Sequence, residues 1–410
     1  MKSMMKKDSQ LKVLFISDHF YPEAFLGNEI PSYLCAHGCS VDVLTQNPAY
    51  PEGIIYPGNP NPLFRITRMS GIRVFRLKTI TGYRDSLSRK IANYLWFMFA
   101  ATIFTLFSMR SYDTLFVYHV GSLTEALPLY VAKHIFGKRT SIWTLDIWPD
   151  SVFSFGFKRT PIISRALDRF VSAIYNSCDS VMVGSPGFIG KIGRFMPAGR
   201  QPIFVPQWAP KALFAEVDSS FAIDEECMSF VFAGNVGTQQ NLDRVISAFA
   251  AVERGGHRAH LHIVGDGRSL EVVKATAQRL CTSSIHFHPR IPQGQILRLL
   301  GSADACVLSL NPDPSIELTL PAKFQTYLHS ERPILCVARG ESRYLVEENR
   351  LGEVAEPDSI ESIAAAIKKI CNYTEKERLE IAERMRKLTL SFREEVSMQK
   401  ILFEVAGISV

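Results

Sequence analysis

The sequence predicts an α/β protein built from two doubly wound, parallel-sheet domains. Three observations lead to this fold class. Short apolar runs of strand length alternate with amphipathic helical segments along most of the chain. Two of these runs end at glycines, Gly234 and Gly265, which lie about thirty residues apart. At 410 residues the chain is also long enough for two separate hydrophobic cores.

The elements of the first half follow one another in the order strand, loop, helix. Strands are predicted at residues 13–17, 41–45, 115–118, 141–145 and 180–183. Because strands alternate with helices, a parallel sheet is expected. Residues 202–226 are rich in proline and acidic residues and predict a linker. The domains are therefore expected at residues 1–207 and 208–390, with a C-terminal helix at 391–410 that packs back on the first domain.

The second half repeats the pattern, with strands predicted at residues 230–233, 261–264, 305–309 and 333–337. A helix is predicted near residues 359–370. The tail at 375–405 is predicted to be largely helical, with Leu379, Ala382, Met385 and Leu388 on one apolar stripe.

Composition and charge narrow the class of protein. Apolar residues make up 47% of the chain and charged residues 21%, which is typical of a globular protein and excludes a disordered one. Residues 1–207 contain 23 Lys and Arg against 13 Asp and Glu, whereas the remaining residues contain 23 against 27. The basic first half is expected to face something anionic.

The cysteines and the N-terminus predict a cellular compartment. The eight cysteines are scattered and lack the Cys/His spacing of a zinc site, so free thiols in a reducing cytosol are expected. Residues 1–10 are polar, and a strand follows them at once, so no secretory signal is predicted.

Residues 91–107 form an apolar segment that needs its own interpretation. At 1.5 Å per residue, 17 helical residues span about 26 Å, which is short of the roughly 30 Å hydrocarbon core of a membrane. Two alternatives remain: a helix lying in the cytoplasmic leaflet, or a fully buried core helix. The flanking Arg84, Arg89, Lys90 and Arg110 favour the leaflet, where they would contact lipid phosphates.

The glycine turns indicate an anion site. Gly234 to Gly237 follow a buried strand and precede a helix that begins near Asn241. Free backbone N–H groups and the macrodipole favour a phosphate at such a helix start. A purely structural role in packing strand against helix is the alternative. Neither turn matches G-x-G-x-x-G, and G-x-x-x-x-G-K-[ST] does not occur, so a dinucleotide dehydrogenase and a P-loop NTPase are both disfavoured.

Several motifs, taken in order, carry a family resemblance over nearly the whole chain. They are residues 20–23 (FYPE), 27–29 (GNE), 47–53 (NPAYPEG), 146–151 (DIWPDS), 185–187 (SPG), 233–237 (AGNVG), 264–267 (VGDG), 320–327 (LPAKFQTY) and 332–333 (RP). With these motifs the sequence resembles the retaining GT-B glycosyltransferases of the family-4 type, in particular the subgroup of bacterial O-antigen and capsule pathways. The resemblance implies a GT-B fold, in which two Rossmann-like domains face each other across a cleft.

The resemblance implies that the second domain holds a nucleotide sugar. Lys323 would neutralise the diphosphate, and Arg290 would border the nucleobase together with the 265–266 turn. Many relatives have two glutamates eight positions apart, where this chain has Leu318 and Thr326. The Thr326 hydroxyl would then bond the ribose, and the neighbouring Glu317 would reach the sugar. The implied donor residues are Gly234, Asn235, Val236, Gly237, Gly265, Asp266, Arg290, Lys323 and Thr326. A solvated surface charge is the alternative for Lys323.

The first domain would hold the acceptor, at loops that follow the predicted strands. Asp146 would act in catalysis together with Lys323 and Glu317. Helix capping or a surface turn is the alternative for Asp146 and Asp150. A partly buried, hydrogen-bonded histidine is the alternative for His119, and Trp143 and Trp148 are expected in the core, with sugar stacking an option for Trp148. The implied acceptor residues are Tyr21, Glu23, Asn28, Glu29, Tyr50, Asp150 and His119.

The sequence and this resemblance together predict a glycosyltransferase of the hexosyltransferase type at the cytoplasmic face of the cell membrane, and the resemblance implies that it retains the anomeric configuration. It would move a sugar, such as an N-acetylated amino or deoxyamino sugar, from a UDP-type donor to a polyprenyl-diphosphate-linked saccharide. No metal, cofactor or nucleic-acid partner is expected. Two alternatives remain open: a GT-B nucleotide-sugar epimerase, and a non-catalytic scaffold that binds sugar nucleotides.

Overall fold

The computed structural model describes residues 10–154, 158–215, 223 and 227–409. The described residues form two compact units. The N-terminal unit comprises those within Met1–Gly184, Phe188–Val205 and Glu395–Val410, and the C-terminal unit those within Ser185–Gly187 and Pro206–Glu394. Residues 1–9, on which the expectation about a signal sequence rests, lie outside the described residues, and so do residues 216–222 and 224–226 of the predicted linker.

An eight-stranded sheet forms the centre of the N-terminal unit. Its strands follow the order β3-β4-β2-β1-β5-β6-β7-β8, and all neighbours are parallel except β3 and β4. The chain builds outward from β1 through β2 and then continues with β5 on the other side, so the switch point of this doubly wound sheet lies between β1 and β5. The strands are β1 (Leu11–Ile16), β2 (Cys39–Gln46), β3 (Phe64–Met69), β4 (Ile72–Leu77), β5 (Thr114–His119), β6 (Arg139–Thr144), β7 (Ser180–Val183) and β8 (Ile203–Phe204).

The hairpin of β3 and β4 corrects the expectation of a purely parallel sheet. Arginines interrupt both strands, so neither contains the continuous apolar run that marks a buried strand. β3 lies at the sheet edge with Phe64 and Ile66 exposed. Part of the predicted linker is also structured, because β8 pairs with β7.

The two longest helices of this unit begin with side-chain caps. At α5, the Thr160 hydroxyl accepts the N–H of Ile163, and Pro161 occupies the first helical position. The helices are α1 (Ile30–Ala36), α2 (Leu87–Ser108), α3 (Leu127–His134), α4 (Asp150–Ser154), α5 (Pro161–Asn176) and α6 (Phe188–Gly193).

Helix α2 contains the apolar segment 91–107 and is longer than that segment, at 22 residues or about 33 Å. Its buried residues are Asn93, Phe97, Ala101 and Thr105, a single stripe. The alternative of a fully buried core helix is therefore wrong. By length and composition, Leu87–Ser111 is long and apolar enough to cross a membrane, with a mean hydropathy of 1.5 and 22% of its most apolar window buried.

The C-terminal unit is built on a six-stranded parallel sheet of order β11-β10-β9-β12-β13-β14. Its switch point lies between β9 and β12. One face packs against α7, α8 and α13, where Phe230, Phe249 and Ile367 belong to a single apolar core. The strands are β9 (Met228–Ala233), β10 (Ala259–Val264), β11 (Ile285–His288), β12 (Ala305–Ser309), β13 (Ile334–Val337) and β14 (Gly352–Ala355). The helices are α7 (Leu242–Arg254), α8 (Leu270–Arg279), α9 (Gln293–Ser302), α10 (Pro314–Glu317), α11 (Ala322–Leu328), α12 (Glu341–Glu348), α13 (Ile360–Cys371) and α14 (Glu375–Thr389). The last helix, α15 (Glu394–Ala406), belongs from Glu395 onward to the N-terminal unit.

The C-terminal tail is helical as predicted, but its apolar stripe differs. α14 starts with a capping box, in which the side chains of Thr374 and Glu377 each bond the other's backbone N–H. Leu379 is exposed, and Ile381, Ala382 and Met385 form the buried stripe instead.

Candidate active site

A pocket of about 350 Å³ opens in the C-terminal unit at the carboxyl ends of β9 and β10. Ligands of doubly wound sheets bind at this edge. Seven of the nine predicted donor residues line the pocket, namely Gly234, Asn235, Gly265, Asp266, Arg290, Lys323 and Thr326.

The two glycine turns that close this pocket require glycine. Gly234 has φ +139° and Gly265 has φ +148°, which L-residues with side chains rarely adopt. A Cβ on Gly265 would overlap the carbonyl oxygen of Gly234, so the two turns are in direct contact. Both glycines line the pocket and carry no side chain, so a ligand can approach the backbone of the turns closely.

Lys323 is the second residue of α11, and its amine lies beside the first of these turns. A Cβ placed on Gly234 would lie 3.8 Å from the Lys323 Nζ. The Nζ donates to the Gln240 Oε1 at 2.6 Å and sits 3.9 Å from the centroid of the Phe232 ring. Desolvation lowers the pKa of Lys323 to about 7, because burial disfavours the ammonium form. The Lys323 amine contacts the Gln240 amide oxygen and the Phe232 ring, and both of these groups are neutral.

Three predicted residues lie outside the lining of this pocket. The Val236 side chain belongs to the core, and its N–H donates to the carbonyl of Asp266 at 2.9 Å. Gly237 has φ −103°, which any residue can adopt. Glu317 is the last residue of α10 and does not line the pocket. Gln240 was not predicted, since nothing in its sequence surroundings marks it as a partner of Lys323.

A second pocket, of about 490 Å³, lies in the N-terminal unit at the carboxyl ends of β1, β5 and β6. We call it the N-terminal pocket. Of the predicted acceptor and catalytic residues, Tyr50 and Asp146 line it. Burial raises the pKa of the Asp146 carboxyl, and the N–H of Ile147 and the side chain of Ser151 offset part of that effect. Trp148, expected mainly in the core, also lines this pocket and donates to the carbonyl of Gly121 at 3.2 Å.

His19 lines the same pocket and was not predicted from the sequence. Its Nδ1 lies 3.0 Å from the Glu23 Oε2, and its Nε2 lies 3.6 Å from the Asp18 Oδ2. Burial disfavours the imidazolium, but the two carboxylates outweigh burial and raise the pKa of His19. Its ring stacks on Phe25 at 4.9 Å between centroids. Its position directly before the FYPE motif at residues 20–23 was the sequence feature that could have identified it as a candidate site residue.

The other predicted acceptor residues are engaged inside the unit. The Glu23 Oε1 accepts the N–H groups of Ala49 and Tyr50 at 2.7 and 2.6 Å, so this carboxylate fastens one loop to another. Asn28 is buried and donates to the carbonyl of Glu23. The Tyr21 hydroxyl donates to Glu29.

Asp150 and His119 also have partners inside the unit. Asp150 begins α4 and forms ion pairs with Arg159 at 2.7 Å and Lys191 at 2.9 Å. His119 is fully buried, with its Nδ1 2.6 Å from the Thr144 Oγ1 and its Nε2 3.1 Å from the carbonyl of Gly121. Burial lowers the pKa of His119 to about 4, so the ring is neutral at pH 7. Among the described residues, no group of three or more His, Cys, Asp or Glu side chains is arranged to hold a metal ion.

Part of the chain matches a known sequence family. Residues 215–388 match the sequence family of glycosyl transferases, group 1. The matched segment covers nearly all of the C-terminal unit. The two parallel-sheet units have the GT-B fold of the solved structures compared below.

The chain is 27% identical over 249 residues to a probable glycosyltransferase, WbjE, of Pseudomonas aeruginosa. The match covers 56% of this chain and 60% of that protein. The structure of sucrose-phosphate synthase from Thermosynechococcus elongatus superimposes with a TM-score of 0.68 at 15% identity, over 96% of this chain and 97% of that one. Anabaena HepE, solved in complex with UDP and glucose, gives a TM-score of 0.64 at 12% identity, over 97% and 100%. The two solved structures show the fold.

Proposed function

We propose that this protein is a glycosyltransferase that moves a sugar from a UDP-type nucleotide sugar to a polyprenyl-diphosphate-linked saccharide during surface-polysaccharide synthesis. The environment of Lys323 carries the donor part of the proposal. Burial lowers the pKa of Lys323, and its amine lies beside the Gly234 turn with the neutral groups of Gln240 and Phe232 as partners. Such a lysine is suited to an anionic ligand. The relative WbjE is named as a probable glycosyltransferase, which supports the activity, and the UDP bound to HepE supports the class of donor.

The proposed mechanism combines positioning with leaving-group stabilisation. Lys323 and the backbone of the Gly234 and Gly265 turns hold the diphosphate, and the lysine charge offsets the negative charge that develops as the sugar departs. Arg290 and Asp266 border the base, and the Thr326 hydroxyl bonds the ribose. A phosphate oxygen of the donor accepts the proton of the acceptor hydroxyl, and the sugar is transferred with retention of configuration.

We propose further that α2 lies in the cytoplasmic leaflet rather than spanning the membrane. Asn93 and Gln46 form a reciprocal, buried amide pair with both hydrogen bonds at 3.0 Å, which fastens the helix to the sheet. A spanning helix would have to break this pair. On the outward side, Phe99, Ile103 and Phe107 are exposed, with Phe107 at 87%.

The basic flank of α2 is smaller than the sequence implied. Arg84 forms an ion pair with Glu52, and Lys90 lines the N-terminal pocket. Arg89 and Arg110 remain exposed and are the residues proposed to contact lipid phosphates.

Two measurements test the proposed function. Thermal unfolding is followed with UDP, GDP and ADP, and UDP at a hundred times its Kd should add about 2.7 kcal/mol of stability. Transfer from UDP-sugars to a polyprenyl-diphosphate disaccharide is then assayed. Isomerisation of the donor without acceptor would favour an epimerase, and binding without turnover would favour a scaffold.

A further inference from the structure

The N-terminal pocket has two poles of different chemistry. Its polar residues follow three neighbouring strands: His19 follows β1, Ser122 and Thr124 follow β5, and Asp146 follows β6. Most of its aliphatic residues come from helices that flank the sheet edge. Leu87, Ile91, Leu95 and Met98 lie on α2, Val152 on α4, and Leu167 and Phe170 on α5.

Helical spacing explains why α2 presents two different apolar faces. Leu87, Ile91, Leu95 and Met98 recur at intervals of three or four residues and so share one face, which lines the pocket. The stripe that begins at Asn93 lies on the inner side. The pocket face is thus separate from the stripe that stabilises the unit, and its side chains are available to a ligand.

The pocket lining contains a lysine, Lys90, which lies on α2 beside the apolar pole. Among the described residues that line the pocket, Lys90 is the only lysine or arginine. It lies in the first turn of α2, and its Nζ lies 5.9 Å from the centroid of the Tyr94 ring. Leu87 follows the cap of the same turn, so a cation and an aliphatic wall are adjacent.

We infer that the N-terminal pocket binds the lipid end of the acceptor, with a prenyl chain along α2 and its phosphate beside Lys90. The inference rests on the proposed function, which supplies an acceptor of this class. A saccharide alone would leave the leucine, methionine and phenylalanine wall without apolar contacts, whereas a hydrocarbon chain buries it.

The pocket is continuous with the outer face of α2. Leu87 and Leu95 line the pocket and yet are 48% and 42% exposed. Leu95 is followed four residues later by the exposed Phe99, which belongs to the face proposed to lie in the leaflet. A prenyl chain longer than the pocket can therefore leave along apolar surface and continue into the membrane.

Prenyl diphosphates of increasing length test this inference directly. The full-length protein is titrated calorimetrically with inorganic diphosphate and with isopentenyl, geranyl and farnesyl diphosphate, with saturating UDP present to occupy the donor pocket. Affinity should rise about tenfold or more with each added five-carbon unit until the pocket is full, because each unit buries further methylene surface. Lys90→Gln should weaken farnesyl diphosphate about tenfold and leave farnesol unchanged.

Two variants that fill the pocket and one matched variant outside it complete the test. Met98→Trp and Leu167→Trp place an indole in the apolar pole and should weaken farnesyl diphosphate at least about tenfold, with UDP affinity unchanged. Ile103→Trp lies on the same helix as Met98 but outside the lining, and it should leave the affinities for farnesyl diphosphate and for UDP unchanged.

The outcomes separate this inference from the proposed function. Equal affinity for all chain lengths, or equal effects of Met98→Trp and Ile103→Trp, would overturn the pocket assignment even if UDP binds and transfer occurs. Chain-length-dependent binding that the tryptophan variants abolish would uphold it even if no UDP binding or transfer were found, a result that would refute only the proposed function.

Discussion

The Lys323 Nζ lies 3.9 Å from the centroid of the Phe232 ring. Phe232 is the second-last residue of β9, the strand that leads into Gly234. A cation over an aromatic face gains about 0.5–2 kcal/mol, which is less than a lysine loses when it leaves water for a dry site. The pKa of Lys323 is lowered to about 7 because the contact with the ring does not make up for the lost hydration of the ammonium group. A diphosphate would restore the missing counter-charge, and three predictions follow from the turn and the lysine.

Replacing Lys323 by Ala should reduce turnover by roughly two orders of magnitude, because one charge-stabilising group on the leaving diphosphate is lost. Steady-state transfer assays on the folded variant measure the effect. Lys274→Ala is the matched control, since Lys274 pairs with Glu271 on the solvent side of α8 and its loss should leave the rate unchanged. A Lys323→Ala enzyme with parental kcat/KM would remove the lysine from the mechanism.

The pH dependence of UDP binding should have a defined sign. Free Lys323 titrates near pH 7, and a bound diphosphate raises its pKa, so binding above pH 7 requires proton uptake. The affinity for UDP should therefore fall as the pH rises from 7 to 9, approaching tenfold per pH unit. Lys323→Arg keeps its charge throughout this range and should bind UDP with little pH dependence. A parental affinity that is flat between pH 7 and 9 contradicts the assignment.

Gly265→Ala should destabilise the protein by about 1–3 kcal/mol, since the added Cβ meets the carbonyl of Gly234 and the residue must keep φ +148°. UDP affinity should fall as well, because the turns would have to separate. Chemical denaturation and UDP titration measure the two effects. Gly301→Ala is the control: it lies within α9 with no atom near its added Cβ, and helix propensity predicts a gain of about 0.5–1 kcal/mol. Equal stability of the two variants would show that the turn tolerates a side chain.

The strands and the division into two α/β units could be predicted because a buried parallel strand needs a continuous apolar run, and most of these strands have one. The two glycine turns could be predicted for a related reason, because the positive φ of Gly234 and Gly265 is a local requirement for glycine. The roles of single polar residues could not. Glu23 accepts the backbone of Ala49 and Tyr50, and Asp150 pairs with Lys191 far along the chain. Such partners depend on tertiary contacts that no local pattern encodes. From the sequence alone, a carboxylate near a strand end could therefore either bind a ligand or form a structural hydrogen bond or ion pair.

His119 and His19 illustrate the same limit of local patterns within one unit. His119 is the last residue of β5, and His19 follows β1. The first is enclosed by Thr144 and the Gly121 carbonyl, whereas the second lines a pocket between two carboxylates. Only the three-dimensional arrangement of β1, β5 and β6 distinguishes them.

The exposed face of α2 should bind anionic liposomes. Replacing Phe99, Ile103 and Phe107 by Ser should release the protein from vesicles and leave it folded, since these side chains are exposed. Phe97→Ala on the buried stripe should instead cost about 3–5 kcal/mol of stability, so circular dichroism separates the two faces. Arg89→Glu with Arg110→Glu should weaken binding most at low salt, where charge screening is least. Vesicle binding that survives the triple serine variant, or that ignores both the charge reversals and the salt concentration, would show that α2 does not lie in the leaflet.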